Sequence, residues 1–222
     1  MNEGWEWDLH TPLAVTAVTE TLYMVSLTLL AGGALGLVLG IALYTTRAGA
    51  ILANRPVFAV LNFAVNIVRP IPFIILLVAA APLTKLIVGT WLGTSAAVVP
   101  LAIATAFGFS RIVEQNLVTI DPGVIEAARA VGASPLRIIF TLLVPEALGP
   151  LILGFTFVFV AVIDMTAVAG IVGGGGIGDF ALSYGHQRWN QSVVWISVGI
   201  IIVLVQVVQL FGNWLARKAL RR

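Results

Sequence analysis

The 222-residue sequence contains no cysteine, so disulfides and thiolate metal sites are excluded. Charge is almost as scarce, since only 10% of the residues are Asp, Glu, Lys or Arg. A soluble domain carries about a quarter charged residues, and the polar residues present here could not cover such a surface. There is no G-x-x-x-x-G-K-[ST], hence no P-loop to hold nucleotide phosphates. Neither His10 nor His186 has a second ligand at metal spacing, and no nucleophile stands at a convincing spacing from a base. An enzyme acting alone on a substrate is therefore not indicated. The net charge of +2 brings no basic groove or patch, so nothing points to nucleic acid. The N-terminus MNEGWEWDLH is acidic where a signal peptide is basic, and the apolar run after it is too long for an h-region.

What the chain has instead is hydrophobic length. It is 59% hydrophobic, with a mean hydropathy of +1.05. Leu22 to Thr46, Gly89 to Ser110 and Gln191 to Ala216 carry no charge; Pro56 to Pro82 carries only Arg69, and Ala147 to Gly178 only Asp164. About 20 apolar residues in a helix cross a bilayer. These runs predict an all-α polytopic membrane protein with about five transmembrane helices.

The cations set the orientation. With the N-terminus outside, the inner segments hold Arg47, Arg55, Arg111, Arg129, Arg137, Arg217, Lys218, Arg221 and Arg222, while the outer ones hold only Lys85 and Arg188. That is the positive-inside pattern. Trp5 and Trp7, beside Glu3, Glu6 and Asp8, read as an outer interfacial anchor, and Trp214 as an inner one. The expected organisation is an extracytoplasmic segment 1–21, a transmembrane region 22–216 with a cytoplasmic loop 111–146, and a basic cytoplasmic tail 217–222.

That central loop is the most informative stretch. Asp121-Pro122 is an N-cap followed by proline in the first turn. Gly132 can close the helix in a left-handed C-cap, and Ser134-Pro135 starts the next. About ten residues lie between these signals, roughly 15 Å of helix and too short to span. Val124, Ala127, Ala128 and Val131 share one face. A helix of this kind is either a docking knob for a soluble partner or an amphipathic segment lying on the membrane.

Glu126-Ala127-Ala128, Gly132 six residues after Glu126, and Pro145 at the opening of the next span resemble the EAA loop of ABC-importer permeases. The one departure in this loop is Val144, where many relatives have leucine. "RPIPFIILLV" from Arg69, "LIVGT" from Leu86, "GGGGIG" from Gly173 and "YGHQRWN" from Tyr184 are similar to segments of methionine-importer permeases. The resemblance implies a type I ABC importer permease fold in the bacterial inner membrane, with the N-terminus outside and the C-terminus cytoplasmic. It further implies a homodimer working with two cytoplasmic ABC ATPase subunits and an extracellular substrate-binding protein, in contact with membrane lipid. No cofactor is expected in this chain, because ATP and magnesium belong to the partner ATPase. Glu126, Ala127, Ala128, Arg129 and Gly132 are the implied coupling residues.

Inside the spans, Asp164 stands where a carboxylate costs roughly 2.5–3.5 kcal/mol even on a lenient insertion scale. It either lines the substrate route or makes a structural hydrogen bond between spans. Thr166-Ala167-Val168-Ala169-Gly170 resembles the family segment that lines the translocation path, with Val168 at the place of an apolar gate residue; ordinary packing is the other reading of Val168. Pro70 and Pro72 free the carbonyls of Asn66 and Val68, so a kink is expected, with Arg69, a further candidate for the translocation pathway, either satisfying those carbonyls or a neighbouring helix end, or snorkelling at a span end. Gly173-x-Gly175-x-x-Gly178 matches a dinucleotide fingerprint, yet it follows a membrane span and no strand, so a flexible or tightly turned outer connection is the better reading. The same machine carrying another amino acid or an osmolyte remains an alternative. An ATP-independent secondary transporter would favour inverted repeats and several intramembrane carboxylates; one carboxylate and no repeat are present.

Overall fold

A computed structural model of the protein describes residues 5–220, and every regular element among them is a helix. Glu3, Arg221 and Arg222, assigned above to the outer anchor and the basic tail, lie outside the described residues.

The first span starts earlier than its uncharged run. Helix α1 (Trp7–Thr28) passes through a wider turn at Leu29–Gly33 into α2 (Ala34–Thr46), giving 40 helical residues from Trp7 to Thr46. At 1.5 Å per residue this is about twice the ~30 Å hydrocarbon core. The early start has a local cause: His10 Nδ1 accepts a 2.9 Å hydrogen bond from the Glu6 backbone N–H, satisfying a group at the helix beginning.

The second apolar run is broken, as its two prolines require. Helix α3 (Arg55–Val68) is capped by Asn54, whose Oδ1 accepts from Val57 N–H at 3.2 Å. After Arg69–Pro72 the chain bends by 107° into α4 (Phe73–Ala79), followed by α5 (Ala81–Val88). Helix α6 (Thr94–Val118) then runs past Ser110, so the expected loop 111–146 begins as helix. Arg111 and Glu114 cause the extension, because they pair with each other on the helix at i, i+3 and need not leave it.

Short helices α7 (Pro122–Ala130), α8 (Pro135–Ile138) and α9 (Val144–Glu146) lead into α10 (Leu148–Ala169). Beyond it come the turn Gly170–Gly174, α11 (Gly176–Phe180) and α12 (Gln191–Leu220). Arg217 and Lys218 fall in the last turn of α12, where cations favour the negative helix end, so the described part of the tail is helical.

The chain forms two compact units, one from 1–32, 71–105 and 159–208, the other from 33–70, 106–158 and 209–222. In the first, Met24, Ala97, Leu101 and Ala169 form a buried cluster, and Ala14, Ala17, Ile177, Phe180 and Val193 form another. The glycine-rich connection of this unit is tightly turned. Glu20 Oε2 accepts from Gly176 N–H at 2.7 Å, and Thr21 Oγ1 from Ile177 N–H at 2.9 Å.

In the second unit α2 packs on α6 at very short range. A Cβ on Gly36 would meet the Ala106 carbonyl at 2.9 Å, and one on Gly40 the Ser110 carbonyl and Val113 Cβ at 2.5 Å. Lipid tails are as apolar as these helices, so association depends on such close van der Waals contact. Helix α3 is tied to α6 by charge: Arg111 forms the ion pair with Glu114 and donates to Asn62 Oδ1 at 2.8 Å and Asn66 Oδ1 at 2.6 Å. Removing one partner from such a buried group would leave an uncompensated charge.

Gly40→Leu should therefore destabilise the chain by about 1–3 kcal/mol or more through overpacking. Gly108→Ala, whose added methyl meets nothing within 4 Å, should be close to neutral. Thermal unfolding in detergent would compare them; equal melting of both variants would contradict the close approach of α2 and α6.

Candidate functional site

Helix α7 is built by its ends. Asp121 Oδ1 accepts from Gly123 N–H at 2.8 Å, and Pro122 occupies the first position, where its missing donor costs nothing. At the other end Gly132 adopts φ +79°. Its N–H donates to the Arg129 carbonyl at 2.9 Å, and Ala133 N–H to that of Ala128 at 3.1 Å. This pair of bonds is a Schellman motif, which uses up the carbonyls a helix end leaves open. Ser134 Oγ then accepts from Arg137 N–H at 3.4 Å to start α8.

No residue of α7 is buried. The apolar face expected from the sequence divides in two. Ala128 turns inward with Ile125, both half-buried, while Val124, Ala127 and Val131 form an exposed edge, Val131 being 84% accessible. Glu126 and Arg129 line a cleft of about 410 Å³ together with Tyr44, Arg47, Ile51 and Ile125. Arg47 covers the Tyr44 ring at 4.5 Å. Neither Glu126 nor Arg129 makes an ion pair or side-chain hydrogen bond to any described residue. The helix thus presents a fixed shape, an apolar edge and two unspent charges of opposite sign, which is chemistry for receiving another protein.

A second set of residues lies on α10. Asp164 is exposed and has no partner among the described residues. It shares one stripe, at helical spacing, with exposed Leu153, Phe157 and Ile171, and half-buried Val168 sits one turn beyond it. Among the described residues, no hydrogen bond joins Asp164 to a neighbouring span. Thr166 is turned the other way: it is buried, and its hydroxyl donates to the Ile163 carbonyl at 2.7 Å. Arg69, at the end of α3, is exposed, and its guanidinium reaches neither the Asn66 nor the Val68 carbonyl. Arg111 is the cation that engages α3.

Sequence reasoning missed Glu20, Thr21, Asn62 and Asn66. The last two left a signal, since polar residues spaced i, i+4 in an apolar helix face one neighbour and imply a polar partner there. Glu20 left none, because its partners are backbone amides more than a hundred residues away.

A family model described as "Binding-protein-dependent transport system inner membrane component" matches residues 32–221. The chain is 43% identical over 210 residues to the "Probable D-methionine transport system permease protein MetI" of Vibrio cholerae, covering 95% of this chain and 93% of that one. It is 41% identical over 171 residues to the "Methionine import system permease protein MetP" of Bacillus subtilis, covering 77% of each. Among solved structures, an inward-facing conformation of the MetNI methionine ABC transporter matches with a TM-score of 0.92 and 39% identity, over 94% of this chain and 97% of that chain. An amino acid ABC transporter with histidines matches at 0.77 and 20% identity, over 94% of each chain, and shows the fold alone.

The left-handed cap at Gly132 supplies a direct test of the α7 geometry. A β-branched residue there pays about 1–2 kcal/mol of backbone strain, so Gly132→Val should loosen the helix end and speed tryptic cleavage at Arg129 and Arg137 severalfold. Gly132→Asn, a residue that tolerates this conformation, should restore protection. Equal cleavage of all three proteins would contradict the cap.

Proposed function

The chain belongs to the family of binding-protein-dependent transport system inner membrane components, and from that we propose that it is the permease subunit of an ATP-driven methionine importer. The observation that carries this reading is the likeness to a methionine permease over 95% of the chain. Helix α7 supports it, being unpartnered and rigidly capped.

In this reading two copies form the translocation route, and two cytoplasmic ATPase subunits receive α7 through Glu126, Ala127, Ala128, Arg129 and Gly132. An extracellular binding protein delivers substrate. ATP and magnesium are bound by the ATPase, and this chain has no nucleotide site of its own. The protein lies in the bacterial inner membrane among lipid, with 1–21 outside, the loop around α7 and the basic end cytoplasmic, as the positive-inside distribution supports.

The mechanism follows from linkage. ATP closes the ATPase dimer and draws together the grooves holding the two α7 helices, turning the route outward toward the binding protein; hydrolysis reverses it. Nucleotide can drive this only by binding the two states with different affinity. Asp164 and Val168 line the route, Arg69 stands at the break in the second run, and Thr166 supports α10 from its buried side. An apolar constriction at Val168 blocks polar solutes by excluding water.

The complex purified with the proteins encoded beside it should hydrolyse ATP severalfold faster when methionine and the binding protein are both present. Stimulation by a different amino acid, with none by methionine, would overturn the substrate. Two further variants probe the route. Val168→Cys should crosslink to its counterpart in the second copy with short reagents, because a direct disulfide needs Cα atoms within about 7 Å and the chain has no other cysteine. Asp164→Asn should preserve melting temperature yet change uptake rate. No crosslink in any nucleotide state would make Val168 a packing residue.

A further inference from the structure

Among the described residues one side chain other than glycine holds a positive φ, Trp189 at +55°. It closes the short helix His186–Arg188, just before α12. Trp189 N–H donates to the His186 carbonyl at 3.1 Å, and Asn190 N–H to that of Gly185 at 2.9 Å. The same pair of bonds closes α7, where Gly132 takes the left-handed position. Glycine fits that conformation without steric cost, whereas a large side chain is strained in it. The turn alone therefore gives no reason for tryptophan.

Packing within the chain gives none either. Trp189 is 78% exposed, and its one ring contact among the described residues is His186 at 6.3 Å. His186, Gln187 and Arg188 beside it are exposed as well. The segment is nevertheless held in place. Arg188 lies over the Tyr184 ring at 4.7 Å, and a Cβ on Gly185 would meet Val194 Cγ2 at 2.7 Å. An aromatic side chain kept strained, fixed and exposed points to a contact outside the chain that offsets the strain.

Lipid is the ordinary surrounding of a membrane tryptophan, but Trp189 stands too far out. Exposed Trp195 and Trp214 lie on α12 with about 29 Å of helix between them. That matches the ~30 Å hydrocarbon core and puts these two at its interfaces. Gln191, where α12 starts, is then about 6 Å beyond Trp195. Headgroups occupy only about 5–8 Å on each side, and Trp189 precedes Gln191, at the water-facing limit of that layer.

We propose that Trp189 is the anchor with which the segment 184–190 engages the extracellular binding protein, an inference that rests on the importer reading above. The indole fills an apolar slot on that protein, while Gln187 and Arg188 at its rim meet carbonyls and carboxylates. An aromatic anchor within a polar rim concentrates binding energy in few residues. A loop already fixed in shape loses little freedom on docking.

The test titrates the complete complex in lipid nanodiscs with methionine-loaded binding protein while ATP hydrolysis is followed. Trp189→Gly removes the ring and relieves the backbone. The half-stimulating concentration of binding protein should rise about tenfold or more, with a melting temperature no lower than wild type. Trp189→Asn also tolerates the left-handed region, with less backbone freedom than glycine, and should weaken docking as much. An unchanged half-stimulating concentration in Trp189→Gly overturns the proposal. Recovery in Trp189→Asn assigns the effect to loop order and overturns the anchor. Independently, Gln187→Cys in the cysteine-free chain should react with a charged methanethiosulfonate, severalfold more slowly once binding protein is saturating. A thiol unreactive in both conditions lies in lipid, and one equally reactive in both stays uncovered; either result overturns the docking. Wild-type hydrolysis that no binding protein stimulates overturns the importer reading itself, and the anchor with it.

Discussion

Inside a bilayer a polar group has no water to turn to, so the protein itself must supply each donor and acceptor or carry the cost. That constraint accounts for the hydrogen bonds that organise this chain. Arg111 is tolerated in an apolar helix because Glu114, Asn62 and Asn66 surround its guanidinium. Amides at the start of α11, left open by the glycine turn before them, are taken by Glu20 and Thr21. Each of these groups closes an account that lipid would leave open. The groups left unmatched then become informative. Asp164 is exposed and lacks a partner among the described residues, whereas the unmatched hydroxyls of Thr28, Thr84 and Thr105 are covered by the protein itself.

Close packing is the second consequence. Where the solvent is as apolar as the solute, burying leucine against leucine gains little, and helices associate by approaching until their backbones nearly touch. Gly36 and Gly40 provide that approach on α2. The exposed leucines, valines and phenylalanines along α10 and α12 are unremarkable in this setting, since lipid or a second copy can cover them without penalty. A carboxylate in the α10 stripe is a different matter, because lipid is the one surrounding that cannot accept it cheaply.

How much of this was legible depended on whether the cause was local. The caps of α7 were readable because Asp121, Pro122, Gly132 and Ser134 act within four residues of themselves, and all four do what their chemistry dictates. The break after α3 was readable for the same reason, from Pro70 and Pro72. Hydropathy placed the apolar runs but misjudged helix ends, since charge was taken to end a span. Arg111 and Glu114 stay on α6 by pairing, and Trp7 to Thr21 are helical beyond the expected run. Thr166 and Asp164 fall within one segment, yet one is buried and the other exposed; two residues of offset rotate a helical side chain by about 200°. The Arg111 cluster and the Glu20 bonds join residues 45 or more apart in sequence, and no single-segment pattern encodes them.

The charges of the central stretch thus divide into two kinds of work. Arg111 and Glu114 are consumed internally, holding α3 to α6. Glu126 and Arg129, a dozen or more residues later, are engaged by no other described residue through a side-chain hydrogen bond or ion pair. A helix that must pass motion between a membrane subunit and a soluble motor meets two demands. It has to keep its shape while its surroundings change, and it has to leave its contact groups free. Tertiary packing could meet the first only by covering the surface needed for the second. Local capping meets both, because hydrogen bonds at the two ends fix α7 without burying any of its nine residues. The rigidity of α7 is therefore carried by Asp121 and Gly132, which leaves the residues between them free for the recognition proposed above. In the proposed docking of α7, a substitution at either cap would act through the shape of the helix, whereas one at Val124, Glu126 or Val131 would act through contact and leave the helix itself intact.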